Sequence, residues 1–253
     1  MNNFNPRYFL AVLMLLSMLI PSTAKAYSNS DLAIVLNGGS CVGGDLSGAD
    51  LSDLDLSERD FSGTDFTQAR LDNTKLDRAD LTSANFSHAM LNHASLRGAK
   101  LSAANFTMST AAHADFTNAD LSGAKLYRAQ LQGSRLLNAK LTGINAMEAS
   151  LDNVQADYAD FSMSNLPYSW LRNASLKNAS FYGCNMYLTK MPKADLTDAD
   201  CRSTKLSKAN LRKAILDGAK FDKAVLEKAD LRGASMKYTQ FGTAFLNDAE
   251  LDK

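Results

Sequence analysis

Residues 76–100 read LDRAD LTSAN FSHAM LNHAS LRGAK, and the spacing of five within this stretch decides the fold. The same spacing places Leu, Phe, Ala, Met or Cys at 42 consecutive central positions from Leu46 to Leu251, with no insertion or deletion. Two residues before the central position, 27 of the 42 residues are Ala and most of the others are small. One repeat unit therefore accounts for almost all of the chain after residue 44.

A period of five fits neither regular secondary structure. On an α-helix, five residues rotate by about 140°, which would spread the central residues over every face. In a flat strand, an odd spacing sends successive side chains to opposite faces. All central side chains can point inward only if the backbone turns at each pentad. A right-angled turn closes a square coil after about four pentads, and stacked coils would pair their backbones ~4.8 Å apart.

Three pentads show the repeat motif in full: Ala49–Asp53 (ADLSD), Ala79–Ser83 (ADLTS) and Ala209–Lys213 (ANLRK). They match A(D/N)LXX, and the chain thereby resembles the pentapeptide-repeat proteins. The resemblance implies an all-β fold, the right-handed quadrilateral β-helix, as a single solenoid domain of about ten coils over residues 45–253. Residues 27–44 are expected to form an N-terminal cap and Gly-rich lead-in, with a short helix over Ser28–Leu36.

The first 26 residues carry the pattern of a secretory signal peptide. Met1–Arg7 is short and polar, Tyr8–Ile20 is almost entirely apolar, and residues 24–26 (AKA) fit the cleavage pattern. The apolar run has 13 residues, fewer than the ~20 that a spanning helix needs. We predict cleavage after Ala26, a periplasmic or secreted bacterial protein, and no stable membrane span. An uncleaved N-terminal anchor is the alternative.

Residues 20 apart should stack on successive coils, so the surface can be interpreted column by column. One column alternates in charge: Asp80, Lys100, Asp120, Lys140, Asp160. Further opposite charges are expected to pair across coils, namely Asp77 with Arg97, Glu58 with Arg78, Asp152 with Arg172, Asp157 with Lys177 and Asp217 with Lys237. An amide ladder is expected along Asn85, Asn105, Lys125, Asn145, Asn165 and Asn185.

The charge of the chain also bears on the best-known activity of the family that it resembles. Some pentapeptide-repeat proteins imitate the charge of DNA and protect type II topoisomerases, so a surface-mimicking enzyme inhibitor is the alternative function. That activity needs an acidic, like-charged surface on a cytoplasmic protein. Here 27 basic residues balance 27 acidic ones, the columns alternate, and the chain begins with an export pattern. We therefore expect no nucleic-acid mimicry and no nucleic-acid partner.

One outward column changes from Ser and Thr to larger residues midway along the chain. With its neighbours it forms a candidate partner-binding patch of aromatic and apolar residues: Tyr127, Met147, Pro167, Tyr168, Trp170, Tyr187 and Leu188. Central alanines Ala146 and Ala156 are expected to dent the wall nearby. Exposed aromatic patches mark contact surfaces, which predicts an unidentified protein partner. Cross-strand packing of aromatic side chains is the alternative interpretation.

A basic stripe is expected further along the same surface. Between residues 190 and 237 there are 12 basic and 7 acidic residues. One face collects Arg172, Lys190, Lys193, Arg212, Lys213 and Arg232, interrupted by Asp230. Such a stripe could contact an anionic envelope polymer or lipid headgroups, and the alternative is an ordinary solvated face.

Catalytic signatures are missing from the sequence. No carboxylate occupies a central position, and no nucleophile elbow, Walker loop or dinucleotide fingerprint occurs. We predict no enzymatic activity, no cofactor and no metal site. The histidines, which are His88, His93 and His113, are interpreted as surface residues. Cys184 and Cys201 should be buried without bridging each other, whereas Cys41 is left either as a free thiol or in an intermolecular bridge.

The C-terminal coil is expected to be uncapped. It would expose Leu246, Leu251 and unpaired backbone edges, which favour pairing with another chain. We therefore predict a homodimer through this coil. Taken together, the sequence predicts an exported, non-catalytic pentapeptide-repeat protein that acts as a rigid structural or protein-interaction module.

Overall fold

The computed structural model describes residues 27–252. The predicted signal peptide, residues 1–26, lies outside the described residues, and so does its cleavage site. Within residues 27–252 the one α-helix, α1, spans Asn29–Leu36 and fulfils the expectation of a short helix over Ser28–Leu36. No helix in this range is long and apolar enough to cross a membrane.

The pentads pair through isolated parallel β-bridges and not through extended strands. Each bridge joins residues 20 apart, from Asp45 with Asp65 to Asp230 with Glu250, and the bridges lie in four columns. Between Asp45 and Glu250 the chain therefore meets itself again after every four pentads. The strand-like stacking expected from the period of five is confirmed.

Hydrogen bonds between coils and within turns use four of the five N–H groups of a pentad. The central residue and the third residue donate to the following coil, as Leu46 N does to Asp65 O at 2.8 Å and Gly48 N to Thr67 O at 2.8 Å. The residue before the next centre donates to the preceding coil, and the small residue closes the turn, with Ala49 N donating to Leu46 O at 3.0 Å. The backbone is therefore paired on both sides of most coils.

The fifth N–H group explains why the motif contains Asp or Asn. It belongs to the residue after the centre, and the side chain two residues earlier accepts its hydrogen bond, as Asp80 Oδ1 does from Thr82 N at 3.1 Å. Asn105 Oδ1 accepts from Thr107 N at the same distance of 3.1 Å. Asp or Asn is thus preferred in A(D/N)LXX because its side chain accepts a hydrogen bond from a backbone N–H group that the coil leaves unpaired.

Each corner of the coil is a turn whose third residue has a positive φ, as in type II turns. Thirty-one non-glycine residues have φ between 54° and 62° at this position, and none of them is β-branched. Thr243 is the one β-branched residue that the sequence places at a corner. There the preceding residue, Gly242, takes a φ of 47° instead. The left-handed region excludes β-branched side chains for steric reasons, and the local turn shifts accordingly.

The core is one line of side chains along the axis. Every central residue from Leu46 to Leu231 is at most 2% exposed. Aromatic rings stack along one column, with centroids 4.9 Å apart for Phe66 and Phe86 and 4.8 Å apart for Phe86 and Phe106. This spacing equals the distance between paired backbones, so the rings add dispersion contacts without displacing the coils.

Helix α1 covers the first coil. The Ser28 hydroxyl accepts from Asp31 N at 3.3 Å and caps the helix, and the Asp31 carboxylate accepts from Asp45 N at 2.9 Å. Arg59 donates to Val35 O, 2.9 Å away, at the other end of the helix. Arg59 occupies a position that is usually Ala, so its departure from the repeat has a structural reason. The departure anchors the cap.

At the other end, the last described coil is open. Its central residues Met236, Phe241 and Leu246 are only partly buried, and Leu251 is 49% exposed. Tyr238 and Phe245 add large exposed side chains to the same coil. No described coil lies over residues 232–252, so the apolar axis reaches solvent there.

Substitution at a corner tests the requirement for a positive φ at the third residue of a pentad. Asn118 has a φ of 60°, is exposed and makes no side-chain hydrogen bond among the described residues. We expect Asn118→Val to lower the free energy of unfolding by ~1–2 kcal/mol because valine is strained in this region. Asn118→Gly, which relieves the strain, should change it by less than ~0.5 kcal/mol. Chemical denaturation measures both, and equal stability of the two variants would contradict the account.

Candidate binding face at Trp170

The predicted patch divides according to exposure. Trp170 is 43% exposed and Tyr168 is 46% exposed. Three other members are half-buried beside them or one coil away, namely Met147, Tyr187 and Leu188. Pro167 is buried, although the sequence analysis placed it outward, and contributes little surface. Tyr127 is half-buried two coils away from Trp170.

Tyr127, Met147, Pro167 and Tyr187 immediately precede the corner residues at the edge of one flat side of the coil. This side, which carries Tyr168, Trp170 and Leu188, is called the Trp170 face. It consists of six segments that each run from one corner to the next: 128–133, 148–153, 168–173, 188–193, 208–213 and 228–233. Parallel bridges stack the segments, with Ser150 paired to Trp170 and Trp170 to Lys190. The face therefore carries its side chains on backbone that is bonded to the coils on both sides.

Aromatic and cationic side chains hold each other in place on this face. The Trp170 ring has Arg172 Cζ 5.3 Å from its centroid and Lys190 Nζ 5.2 Å away. Next to it, the rings of Tyr168 and Tyr187 meet edge to face with centroids 5.8 Å apart. Cation–π contacts of this kind contribute on the order of 0.5–1 kcal/mol when exposed, enough to restrict the rotamer of Trp170.

Two shallow depressions meet at Trp170. One is lined by a mainly polar set: Arg128, Ala129, Gln130, Gln132, Glu148, Ser150 and Trp170. The other is lined by Glu148, Tyr168, Trp170, Leu188 and Lys190. Ala146 and Ala156 line neither of them, so the two depressions are formed by other residues. Small Ser150 and large Trp170 are neighbours in one bridged column, and both line the polar depression.

The polar depression contains an unused acceptor. Gln132 Oε1 is buried and has no hydrogen-bond partner within residues 27–252. Glu148 is balanced by Arg128, whose Nε lies 2.8 Å from its carboxylate. The sequence analysis missed Gln130, Gln132, Glu148 and Ser150. The column Gln130, Ser150, Trp170 was the available signal, because it places small polar groups directly beside the tryptophan.

The arginines of the basic stripe are paired, whereas its lysines are not. Arg172 bonds Asp152, with Nε 3.0 Å from the carboxylate. Arg212 and Arg232 both bond Asp230, at 3.4 and 2.7 Å. The ammonium groups of the stripe lysines Lys190, Lys193 and Lys213, and of neighbouring Lys208, make no ion pair with any described residue, and all four side chains are exposed.

The predicted charge columns form in part. Ion pairs join Asp80 to Lys100 at 3.1 Å and Asp120 to Lys140 at 3.5 Å, and Asn105 Nδ2 donates to Asn85 Oδ1 at 3.0 Å. The pairs Glu58–Arg78 and Asp152–Arg172 also form. The surface in these columns is therefore one of alternating, mutually neutralised charge.

Three expected ion pairs do not form. Asp77, Asp157 and Asp217 do not pair with the side chains of Arg97, Lys177 and Lys237. Each aspartate instead accepts from the backbone N–H of that residue, as Asp77 Oδ1 does from Arg97 N at 3.0 Å. The carboxylates are used because the N–H after each centre needs an acceptor that the backbone does not supply.

The remaining candidate groups do not assemble into a reactive site. All three cysteines are free and buried, and burial raises the pKa of the Cys184 thiol to about 12. His93 and His113 stack on the surface with ring centroids 5.2 Å apart. Within residues 27–252 no three His, Cys, Asp or Glu side chains come together as metal ligands would.

Comparison with known families identifies the repeat. The pentapeptide repeats profile matches residues 35–68, 45–82, 129–166, 159–198, 194–233 and 216–248, and the pentapeptide repeat region profile matches residues 75–146. The chain belongs to the pentapeptide-repeat family. No curated protein matches it in a sequence search.

Several solved structures are similar to the chain. The chain is similar to HetL, a protein involved in heterocyst differentiation regulation from Nostoc sp. strain PCC 7120, with 26% identity, a TM-score of 0.53, and coverage of 89% of this chain and 97% of HetL. A pentapeptide repeat protein from the Arabidopsis thaliana thylakoid lumen is 33% identical over 42% of this chain and 70% of its own, with a TM-score of 0.36. QnrB1, a plasmid-mediated fluoroquinolone resistance protein, is 17% identical over 81% of this chain and 94% of its own, with a TM-score of 0.46.

The arginine pairs at the basic end predict an acid-sensitive stability. Hydrogen bonds from the Arg232 side chain hold the pKa of Asp230 at about 2, below its usual 3.8. A lowered folded-state pKa stabilises the fold above pH 3.8, and this stabilisation is lost as the pH falls towards about 2. Asp230→Asn should therefore flatten the fall in thermal midpoint over that range. Asp248→Asn, which removes an exposed charge without an ion pair, is the control, and an identical effect of both would contradict the prediction.

Proposed function

We propose that the chain is an exported, non-catalytic binding module, built as a right-handed quadrilateral β-helix of about ten coils in a single solenoid domain. Residues 1–26 would direct export and be removed after Ala26, leaving a cap at 27–44 and the repeats at 45–253. Its work would be done by its outer surface, as a rigid support for one contact face. The sequence interpretation of an unidentified protein partner belongs to this proposal.

The non-catalytic part of the proposal is supported by the interior. The central positions from Leu46 to Leu231 carry no carboxylate, amine or imidazole and are at most 2% exposed, so no such group of the axis is accessible to a substrate. Burial also raises the pKa of the Cys184 and Cys201 thiols, which keeps them protonated and poorly nucleophilic.

The binding part rests on one observation, which is the exposed pair Trp170 and Tyr168 on a wall of fixed backbone. Large aromatic side chains are the common anchors of binding surfaces. Here their rotamers are restricted by Arg172, Lys190 and Tyr187 before any partner arrives. Little conformational entropy would be lost on binding, which favours affinity from a small contact area.

We also propose that the last coil pairs with a second copy of the chain. Partly buried Leu246 and exposed Leu251 would be covered in a homodimer, together with the unpaired edge of residues 232–252. The chain purified from Tyr27 onward should have twice its monomer mass by light scattering, and Leu246→Asp with Leu251→Asp should halve that mass. A strict monomer for the unsubstituted chain would overturn the pairing.

Export can be tested separately from binding. Residues 1–30 fused to an alkaline phosphatase that is active only after export should give an active enzyme in a bacterial host. The secreted form of the full chain should begin at Tyr27 by N-terminal sequencing. Replacing Leu15 and Leu16 by Arg should abolish the activity because it interrupts the apolar segment. An inactive fusion for the unsubstituted sequence would overturn export, and an active fusion still carrying residue 1 would establish the anchor alternative.

A further inference from the structure

We propose that the Trp170 face binds an acidic polysaccharide, with one sugar ring stacked at Trp170 and the acid groups of the following units held by Lys190, Lys193, Lys208 and Lys213. The inference rests on the proposed binding function and specifies the ligand of the same surface. Three properties of the face point to this class of ligand: an aromatic platform, polar groups that lack partners, and a row of lysines that make no ion pair with a described residue, although Lys208 donates to the Tyr187 hydroxyl at 3.3 Å.

The platform is Trp170. A sugar ring has an apolar face of C–H groups and a rim of hydroxyl groups, so it fits a site that combines an exposed aromatic ring with polar atoms around it. Trp170 is 43% exposed and stands between a polar depression and an apolar one. Because Arg172 and Lys190 fix the indole, the platform exists before the ligand binds.

The polar depression is lined by a residue whose side-chain oxygen lacks a hydrogen-bond donor. Gln132 Oε1 is buried without a hydrogen-bond partner, and a buried acceptor left unpaired is destabilising. Rotation of the Gln132 side chain toward the depression would let a sugar hydroxyl supply the missing donor. Gln130 and Ser150 line the same depression and offer an amide and a hydroxyl to neighbouring hydroxyl groups. Glu148 does not repel an acidic ligand strongly, because Arg128 lies 2.8 Å from it.

The cations continue from this depression along the rod. The three segments 168–173, 188–193 and 208–213 contain no Asp or Glu, and they contain Arg172, Lys190, Lys193, Lys208, Arg212 and Lys213. Lys208 stands at one corner of the face and Lys193 and Lys213 at the other, so the lysines frame the path between them. The face is thus positively charged although the whole chain has a formal net charge of zero.

The dimensions suit a linear ligand. Gln130, Ser150, Trp170, Lys190 and Asn210 follow one another in bridged pairs, which gives four steps of ~4.8 Å, or about 19 Å. Protein interfaces are depleted in lysine, whereas this path is framed by it. A bilayer would use the charges and the exposed rings but not the buried acceptor of Gln132. An extended chain with both hydroxyl and acid groups uses all three features.

The single tryptophan makes the binding test direct, because Trp170 is the one source of indole fluorescence in the chain. Short alginate chains, which are polymers of uronic acid, should change this fluorescence saturably, and the apparent Kd should weaken steeply with added salt. Neutral dextran of similar length should bind at least about tenfold more weakly. Equal binding of dextran and alginate would overturn the acidic class of ligand.

Matched variants separate a site from general attraction of a polyanion. Calorimetry should show alginate binding about tenfold weaker for Lys193→Ala with Lys213→Ala. Removing the same charge from other faces, in Lys205→Ala with Lys220→Ala, should leave binding within about twofold. Trp170→Ala should weaken binding about tenfold, and Tyr158→Ala, an exposed tyrosine at the opposite corner, should not. Equal effects within either comparison would overturn the proposed site.

The binding experiments also distinguish the polysaccharide from other classes of ligand. Vesicles of phosphatidylcholine and phosphatidylglycerol that bind the chain when alginate does not would overturn the polysaccharide in favour of a membrane. Failure of alginate, together with a photo-crosslink to a protein from position 170 and none from position 158, would overturn the ligand class and leave the binding module standing. Failure of alginate with no adduct at either position would overturn both proposals.

Discussion

Every pentad must turn the backbone through a corner without leaving a polar group unpaired, and the rest of the structure depends on this requirement. The corner places one residue at a φ of 54–62° in most pentads and turns the following N–H and carbonyl groups toward the adjacent coils. The remaining donor is satisfied by Asp or Asn in many of them. Apolar side chains fill the axis of the solenoid, but this axis exists only because each corner turns the backbone.

Because the coil is closed in this way, the proposed binding function depends on its outer surface. The axis is occupied mainly by Leu and Phe side chains, and the walls are bonded from coil to coil, so the proposed binding would use a flat side. The Trp170 face differs from the alternating surface in three ways that reinforce each other. It carries an exposed ring, an unpaired buried acceptor and lysines without carboxylates opposite them. Fixed spacing between coils turns these into a track of defined pitch.

The period of five was enough to predict the stacking of residues 20 apart and the buried centres, and the segment before the repeats predicted the short N-terminal helix. It could not predict what a side chain does within its column. Asp77 was expected to pair with the Arg97 guanidinium but accepts from the Arg97 amide, because the backbone donor after each centre competes for the carboxylate. Pro167 was expected outward and is buried. Gln132 was missed because the sequence does not show which groups surround a side-chain oxygen, and only the folded structure shows that this acceptor has no donor nearby.

The central claim, that the corner pairs the backbone with both neighbouring coils, is tested most directly by amide hydrogen exchange at single-residue resolution over residues 66–226. The account predicts a period of five in protection, with slow exchange at the central, third and fifth residues of each pentad. The residue after the centre should be the fastest, and in Asp80→Ala the amide of Thr82 should become faster still while Leu81 and Ser83 stay protected. Protection without a period of five, or loss of protection at Leu81 and Ser83 together with Thr82, would contradict the account.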